Sequence, residues 1–187
     1  SIVQVPTQRN SRKENEQIKQ GDADKVRKDW SKFKSAQKDT DARWTKKNSK
    51  SYFGYKNHIQ TDVKYKFVRD YAVTDASVHD SQVFIELLDP ENTSADVFAD
   101  SAYRSAETLG HLDLLWYREH LQRKGHRGRP LSSWEKQGNH TRSKTRSRVE
   151  HIFGIQAMKM GDTILRCIGI VRARCKIGLR NLAYNLD

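Results

Sequence analysis

Apolar and polar positions along this chain change their spacing several times, and each change predicts a different element. Ser1-Ile2-Val3-Gln4-Val5 alternates like the tail of a strand. Residues 8–50 then lose any regular apolar period. They are rich in Lys, Asn, Gln and Ser, with Trp30, Phe33 and Trp44 as the large anchors. That composition predicts a polar, basic insertion, either loop or loosely helical. Tyr52–Gln60, "YFGYKNHIQ", and Phe67–Thr74, "FVRDYAVT", are dense in aromatic and β-branched residues and predict two strands. The short "TDVK" between them predicts an antiparallel hairpin, in a sheet expected to include Val97–Ala99 as well.

Helical spacing follows. "SVHDSQVFIELLDPEN" offers a capping residue, an apolar face at Val83, Phe84, Leu87 and Leu88, and a stop at Pro90. "SAETLGHLDLLW" predicts another helix, with Leu109, Leu112 and Trp116 at i, i+3 and i+7. Residues 121–145, with Gly125, Gly128 and Pro130, read as a basic loop. Two terminal helices are predicted, one striped by Val149, Ile152, Phe153 and Met160, the other by Ile164, Ile168, Val171, Cys175 and Leu182. No internal repeat is visible. Strands first, then strands alternating with helices, predict an α/β domain with a mixed sheet and covering helices.

Charge sharpens this picture. At 187 residues and 35% hydrophobic content the chain can bury one core, and it carries a net charge of +12. Residues 1–50 contribute +7, residues 51–120 contribute −6 and residues 121–187 contribute +11. An acidic centre between basic flanks suits flanks that hold phosphates and a centre that holds metal ions. A structural RNA-binding protein would explain the basic flanks but not the acidic middle. No apolar run approaches membrane-spanning length, and no charged-then-apolar leader opens the chain. Cys167 and Cys175 are too few for a disulfide framework or a zinc ribbon, and their spacing fits two buried thiols of one helix. A reducing, cytoplasmic setting is the expectation.

Two carboxylates stand out. Asp100 ends the apolar run of "VFADSAYRS", at the strand edge where open α/β sheets place ligands. The plainer alternative is a cap for the turn that follows. In "TRSRVEHIFG", Glu150 lies four residues after Arg146, so both share one helical face. As a surface ion pair that spacing is worth only about 0.2–0.5 kcal/mol. As a site, carboxylates on separate elements supply oxygen ligands for hard cations, and an Arg beside them can hold a phosphate. His58, His79 and Asp80 are secondary candidates, with a packed strand histidine and a helix-start residue as the plain readings. Asp75 belongs with them. Arg172, Lys176 and Arg180 form a basic row at i, i+4 and i+8, either a solvated face or a phosphate contact. Trp44 and Trp116 read as core or interface aromatics.

"KSYFGYKNH", "TDASVHDSQ", "VFADSAYRS", "RSRVEHIFG" and the closing "IGIVRARCKIGLRNLAYNL" together resemble DDE transposases of bacterial insertion sequences. The nearest group is the insertion-sequence-five family, with its insertion-sequence-four-like transposase domain. The resemblance runs from Ser1 to the end of the chain and is least typical over 116–140. It implies one RNase H-like catalytic domain over 1–187. It also implies a two-metal site for Mg²⁺ or Mn²⁺ and the reactions of transposition, which are end hydrolysis and strand transfer by the freed 3′-hydroxyl. Carried over, Asp100 and Glu150 are the second and third members of the triad and metal ligands, with Arg146 beside them. The first Asp is expected just before Ser1, so the chain is expected to lack the N-terminal part of its domain. The family's Tyr and Lys around the Glu are replaced here by Ser143 and Ala157. DNA is the implied partner, through Arg142, Lys144, Arg148, Arg172, Lys176 and Arg180, and a homo-oligomer within a transposition complex is expected. The alternative is a remnant that binds DNA without cleaving it.

Overall fold

A computed structural model describes residues 1–6, 8, 10–161 and 164–187. The chain runs β1 (Ile2–Gln4), α1 (Arg12–Lys19), α2 (Ala23–Lys28), α3 (Lys32–Gln37), β2 (Arg43–Lys47), β3 (Lys50–Thr61) and β4 (Val68–Asp75). It continues through α4 (Asp80–Val83), β5 (Asp96–Ala99), a 3-10 turn (Ser101–Tyr103), α5 (Ala106–Leu114), β6 (Arg118–Leu121), α6 (Ser133–Lys159) and α7 (Ile170–Leu186). These elements divide into two compact units, to both of which β3, β4 and α7 contribute.

The first unit comprises residues 1–57, 73–78 and 161–183. Strand β3 is its spine. Strands β1 and β2 pair antiparallel with it, and both registers meet at Gly54, opposite Gln4 on one strand and Arg43 on the other. A side chain cannot stand there: a Cβ on Gly54 would lie 2.2 Å from the Val3 carbonyl oxygen. Val3, Val5, Phe53, Tyr55, Val73, Leu165, Ala173 and Ile177 form the core. Asp39 is buried against it at 1% exposure. Its carboxylate accepts the Tyr55 hydroxyl at 2.7 Å and the Gly169 N–H at 3.1 Å, while Asp41 accepts the Ile170 N–H at 2.9 Å. These two acids therefore satisfy amides at the start of α7, which no helical carbonyl can reach.

Within residues 8–50 the helical alternative of the expected insertion forms as α1–α3, and β2 adds a strand that the sequence did not predict. A capping box starts α1: Ser11 accepts from the Glu14 N–H, and Glu14 returns a bond to the Ser11 N–H. Glu14 also accepts Trp30 Nε1–H and Lys34 Nζ, both at 2.7 Å, over a small cluster of Ile18, Val26 and Trp30.

The second unit comprises residues 58–72, 79–160 and 184–187. The strands predicted over Tyr52–Gln60 and Phe67–Thr74 form as β3 and β4 and pair with each other. The Asp62 N–H bonds the Phe67 carbonyl at the hairpin end, and the Ala76 N–H bonds the Gly54 carbonyl. As one strand ascends the other descends, which is the antiparallel sense. Val97–Ala99 does not join that sheet: β5 pairs in parallel with β6 in a two-stranded sheet of its own. Ala99, Leu112 and Leu121 are its buried centre, with Phe84, Val97 and Tyr103 against them.

Three other boundaries and one helix face differ from the prediction. The helix expected from 77 to its stop at Pro90 shrinks to the single turn of α4: beyond Val83 the N–H groups of Phe84, Leu87 and Leu88 bond three residues back, to Ser81, Phe84 and Ile85, as successive turns rather than an α-helix. Residues 133–145 belong to α6, which starts at a second capping box, Ser132 with Glu135. Helix α5 stops before Trp116, which sits at φ 59° and is 88% exposed. In α7 the buried face is Ala173, Ile177 and Asn181, so Val171, Cys175 and Leu182 face outward and Cys175 is not a buried thiol. Among the described residues no helix is long and apolar enough to cross a membrane.

Candidate functional site

Strand β5 ends in a buried Ala99, and the chain turns at once. Asp100 takes extended backbone and caps the 3-10 turn, its Oδ1 accepting the Ser101 N–H at 2.6 Å. The capping interpretation is therefore correct for one oxygen. The other oxygen is committed elsewhere: Asp100 Oδ2 lies 3.2 Å from Arg146 Nη2. Glu150 Oε1 lies 3.1 Å from that same nitrogen. The two carboxylate oxygens can be no further apart than those distances combined, about 6.3 Å. Arg146 and Glu150 are neighbours on α6, which packs against β5. A strand end and a helix thus bring together three residues that are 46 and four positions apart in sequence.

The electrostatics follow from that bridge. One guanidinium offsets two partly exposed carboxylates, which would otherwise repel each other. Tyr103, which the sequence did not mark as a site residue, closes the 3-10 turn that Asp100 caps. Burial chiefly pushes its phenol up, helped by the negative charges of Asp80 and Asp100 and opposed by Arg146. The phenol stays neutral at every physiological pH and can donate a hydrogen bond. Its signal was the tight turn itself, since Tyr103 sits one 3-10 turn beyond Asp100. His58 is buried, with Nδ1 3.7 Å from Asp80 Oδ1. Asp80 thereby neighbours the site through its field on Tyr103. His79 instead caps α4, accepting the Ser81 N–H, and Asp75 holds the Ser77 N–H in a turn.

What the residues could hold is limited by their chemistry. Two carboxylates converging on one cationic point provide oxygen donors of the kind that hard divalent cations need. Among the described residues, no cluster of three or more His, Cys, Asp or Glu side chains could close a metal site unaided. The remaining positions around a cation would be filled by water and phosphate oxygens.

The basic candidates are distributed over two helices, those on α6 in the second unit and those on α7 in the first. Arg142, Lys144 and Arg148 lie on α6, and Arg148 donates to the Val63 carbonyl. Arg172, Lys176 and Arg180 lie on α7, where Arg172 and Lys176 are exposed and Arg180 donates to the Gly161 carbonyl. Ser143 donates to the Asn139 carbonyl and accepts the Gln122 amide at 2.9 Å, while Ala157 is exposed.

Residues 22–186 match the family described as "Transposase DDE domain". The chain is 33% identical over 149 residues to a protein of Neisseria meningitidis serogroup B described as "Transposase for insertion sequence element IS1106". The match covers 80% of this chain and 51% of that protein, so the chain spans about half the length of the relative. No solved structure matches it.

Proposed function

The chain belongs to the transposase DDE domain family, and from that premise we propose that it binds transposon-end DNA and carries part of the carboxylate site for strand cleavage and strand transfer. The observation that carries this reading is the bridge of Arg146 between Asp100 and Glu150. The family implies divalent metal ions, and we assign Asp100 and Glu150 as their ligands, for Mg²⁺ or Mn²⁺. When bound, the cations supply Lewis-acid activation of the phosphate and of the attacking oxygen.

The chain's own residues do the rest. The Ser101 N–H fixes the Asp100 carboxylate at the strand end, so the oxygen that faces Arg146 is already oriented. Arg146 offsets one of the two carboxylate charges and holds Asp100 and Glu150 beside each other. Its planar fork can turn to a phosphate, which it suits geometrically. Tyr103, held neutral by burial, can donate to a phosphate oxygen. The antiparallel strands followed by a parallel pair with helices support an RNase H-like assignment, within the insertion-sequence-five group. A homo-oligomer is the proposed working state on DNA.

A second reading, DNA binding without cleavage, is favoured by Ser143 and Ala157. The family's Tyr and Lys are absent there, and the Ser143 hydroxyl is spent on Asn139 and Gln122. Both readings require DNA binding. The test is duplex affinity of the chain by fluorescence anisotropy between roughly 50 and 200 mM salt. Affinity should fall with a log–log slope near −0.9 per neutralised phosphate, and Arg172→Gln with Lys176→Gln should reduce the slope by about two contacts' worth. A flat salt response, or no binding at low salt, overturns both.

A further inference from the structure

We infer that the tip of the β3–β4 hairpin is a stacking platform for unpaired bases of the DNA; this rests on the DNA reading above and extends it to single strands. The tip runs from Asp62 to Phe67, with β4 continuing through Arg69 and Tyr71. Its large side chains face water: Val63, Tyr65, Phe67 and Tyr71 are 40–59% exposed. Tyr65 and Phe67 stack on each other with ring centroids 6.3 Å apart, and Lys64 Nζ lies 4.8 Å from the Tyr65 ring centroid. Arg69 and Tyr71 alternate along β4 and project to one face, with the exposed Phe67 just before the strand.

Exposure alone would mean little, but this tip is built to be rigid. The Asp62 carboxylate accepts the N–H groups of Lys64 and Tyr65, and the Lys66 N–H closes back on the Asp62 carbonyl. Lys66 is held at φ 65°, a left-handed conformation that Lys adopts at a cost. Arg148 of α6 donates to the Val63 carbonyl. The last residues of α7 hold the other side: Tyr184 donates to the Lys66 carbonyl, and Asn185 bonds both the N–H and the carbonyl of Val68. Helix ends, a turn carboxylate and a strained lysine all fix a loop whose apolar side chains remain in water. Folding alone does not require Tyr65 or Phe67 at those places.

The chemistry of the tip selects its occupant. Flat π faces interleaved with Lys64, Lys66 and Arg69 match bases joined by phosphates. Both carboxylates of the tip region, Asp62 and Asp70, accept local backbone N–H groups rather than standing clear. In a duplex the base faces are already covered by their neighbours, whereas in a single strand they are available for aromatic rings. An apolar protein partner would not need the alternating cations.

The test compares a short fluorescein-labelled oligothymidine with a duplex of equal length, by anisotropy at roughly 50 mM salt, where phosphate contacts are strong. Each ring is expected to contribute about 5- to 100-fold to single-strand affinity. Tyr65→Ala with Phe67→Ala should therefore weaken oligothymidine binding about 25-fold or more, while duplex affinity stays within about twofold. Tyr65→Leu with Phe67→Leu, which keeps the tip apolar, should lose binding similarly, and Tyr65→Phe should retain it; far-UV circular dichroism checks that each variant folds. Equal losses on both DNA forms, or full binding by the leucine variant, overturn the platform. Unchanged DNA binding with loss of self-association overturns it in favour of a protein contact. If the unsubstituted chain binds neither DNA form, the DNA reading itself fails.

Discussion

Glu14 gives the first fifty residues an acid-sensitive joint, and Glu14→Gln should expose it. The carboxylate accepts Lys34 Nζ and Trp30 Nε1–H, each at 2.7 Å, and the Ser11 N–H, with Lys38 at 3.7 Å. The Lys34 bond is the largest cause that draws its pKa from the ordinary 4.5 down to about 2, and burial opposes the change. A depressed carboxylate pKa contributes stability above 4.5, and that stability is lost as pH falls toward 2. At 1.36 kcal/mol per pK unit the whole shift would be worth about 3 kcal/mol. With the side chain 18% exposed, solvent screening reduces this to about 1–2 kcal/mol. The Trp30 indole N–H resonance reads the joint directly, and Trp30→Phe assigns it. In the unsubstituted chain that resonance should move between pH 4.5 and 2; in Glu14→Gln it should already be shifted at pH 7 and stay flat. An unmoved resonance down to global unfolding, with equal melting of the two proteins at pH 7, would refute the reasoning.

Two substitutions test the first unit's frame. Gly54→Ala places a Cβ 2.2 Å from the Val3 carbonyl oxygen, backbone that cannot step aside without parting β1 from β3, so thermal melting should show a loss of about 3 kcal/mol or more. A change within about 0.5 kcal/mol would mean the strands are not so closely set. Asp39→Ala strands the donors of Tyr55, Asp41, Ala42 and Gly169, and urea unfolding should show about 3 kcal/mol or more of loss. Asp39→Asn keeps an acceptor and should cost less; equal cost for Ala and Asn would contradict the assigned bonds.

Where local signals governed, the sequence was legible. β3 and β4 follow from aromatic and β-branched density, and the presence of two helices near the end of the chain was legible. The pairing of Asp100 with the Arg146–Glu150 face came from residue types and a family pattern. Other features depended on contacts that no local window contains. The α7 stripe was misassigned because Asn181 is buried against Asn57, 124 residues away, while Val171, Cys175 and Leu182 face water. The insertion read as loose because its order comes from Glu14 and Asp39, acids whose partners lie 16 to 130 residues distant. Residues 133–145 read as loop through their charge, although Ser132 and Glu135 formed a legible helix start. β5 was placed in the hairpin's sheet because its partner β6, Arg118–Leu121, carries little strand signal.

Asp100 and Glu150, at present bridged by Arg146, are the proposed ligands of one cation site. Mn²⁺ binding to the chain, followed by the loss of the free-ion paramagnetic resonance signal, tests it most directly. Binding should be saturable, competed away by Mg²⁺, and abolished or greatly weakened by Asp100→Asn and by Glu150→Gln. Arg146→Gln should tighten it, because the guanidinium occupies the point between the two carboxylates. Bound Mn²⁺ should also raise the melting temperature in proportion to the logarithm of its concentration. No saturable binding by the unsubstituted chain, or equal binding by Asp100→Asn, would contradict the assignment.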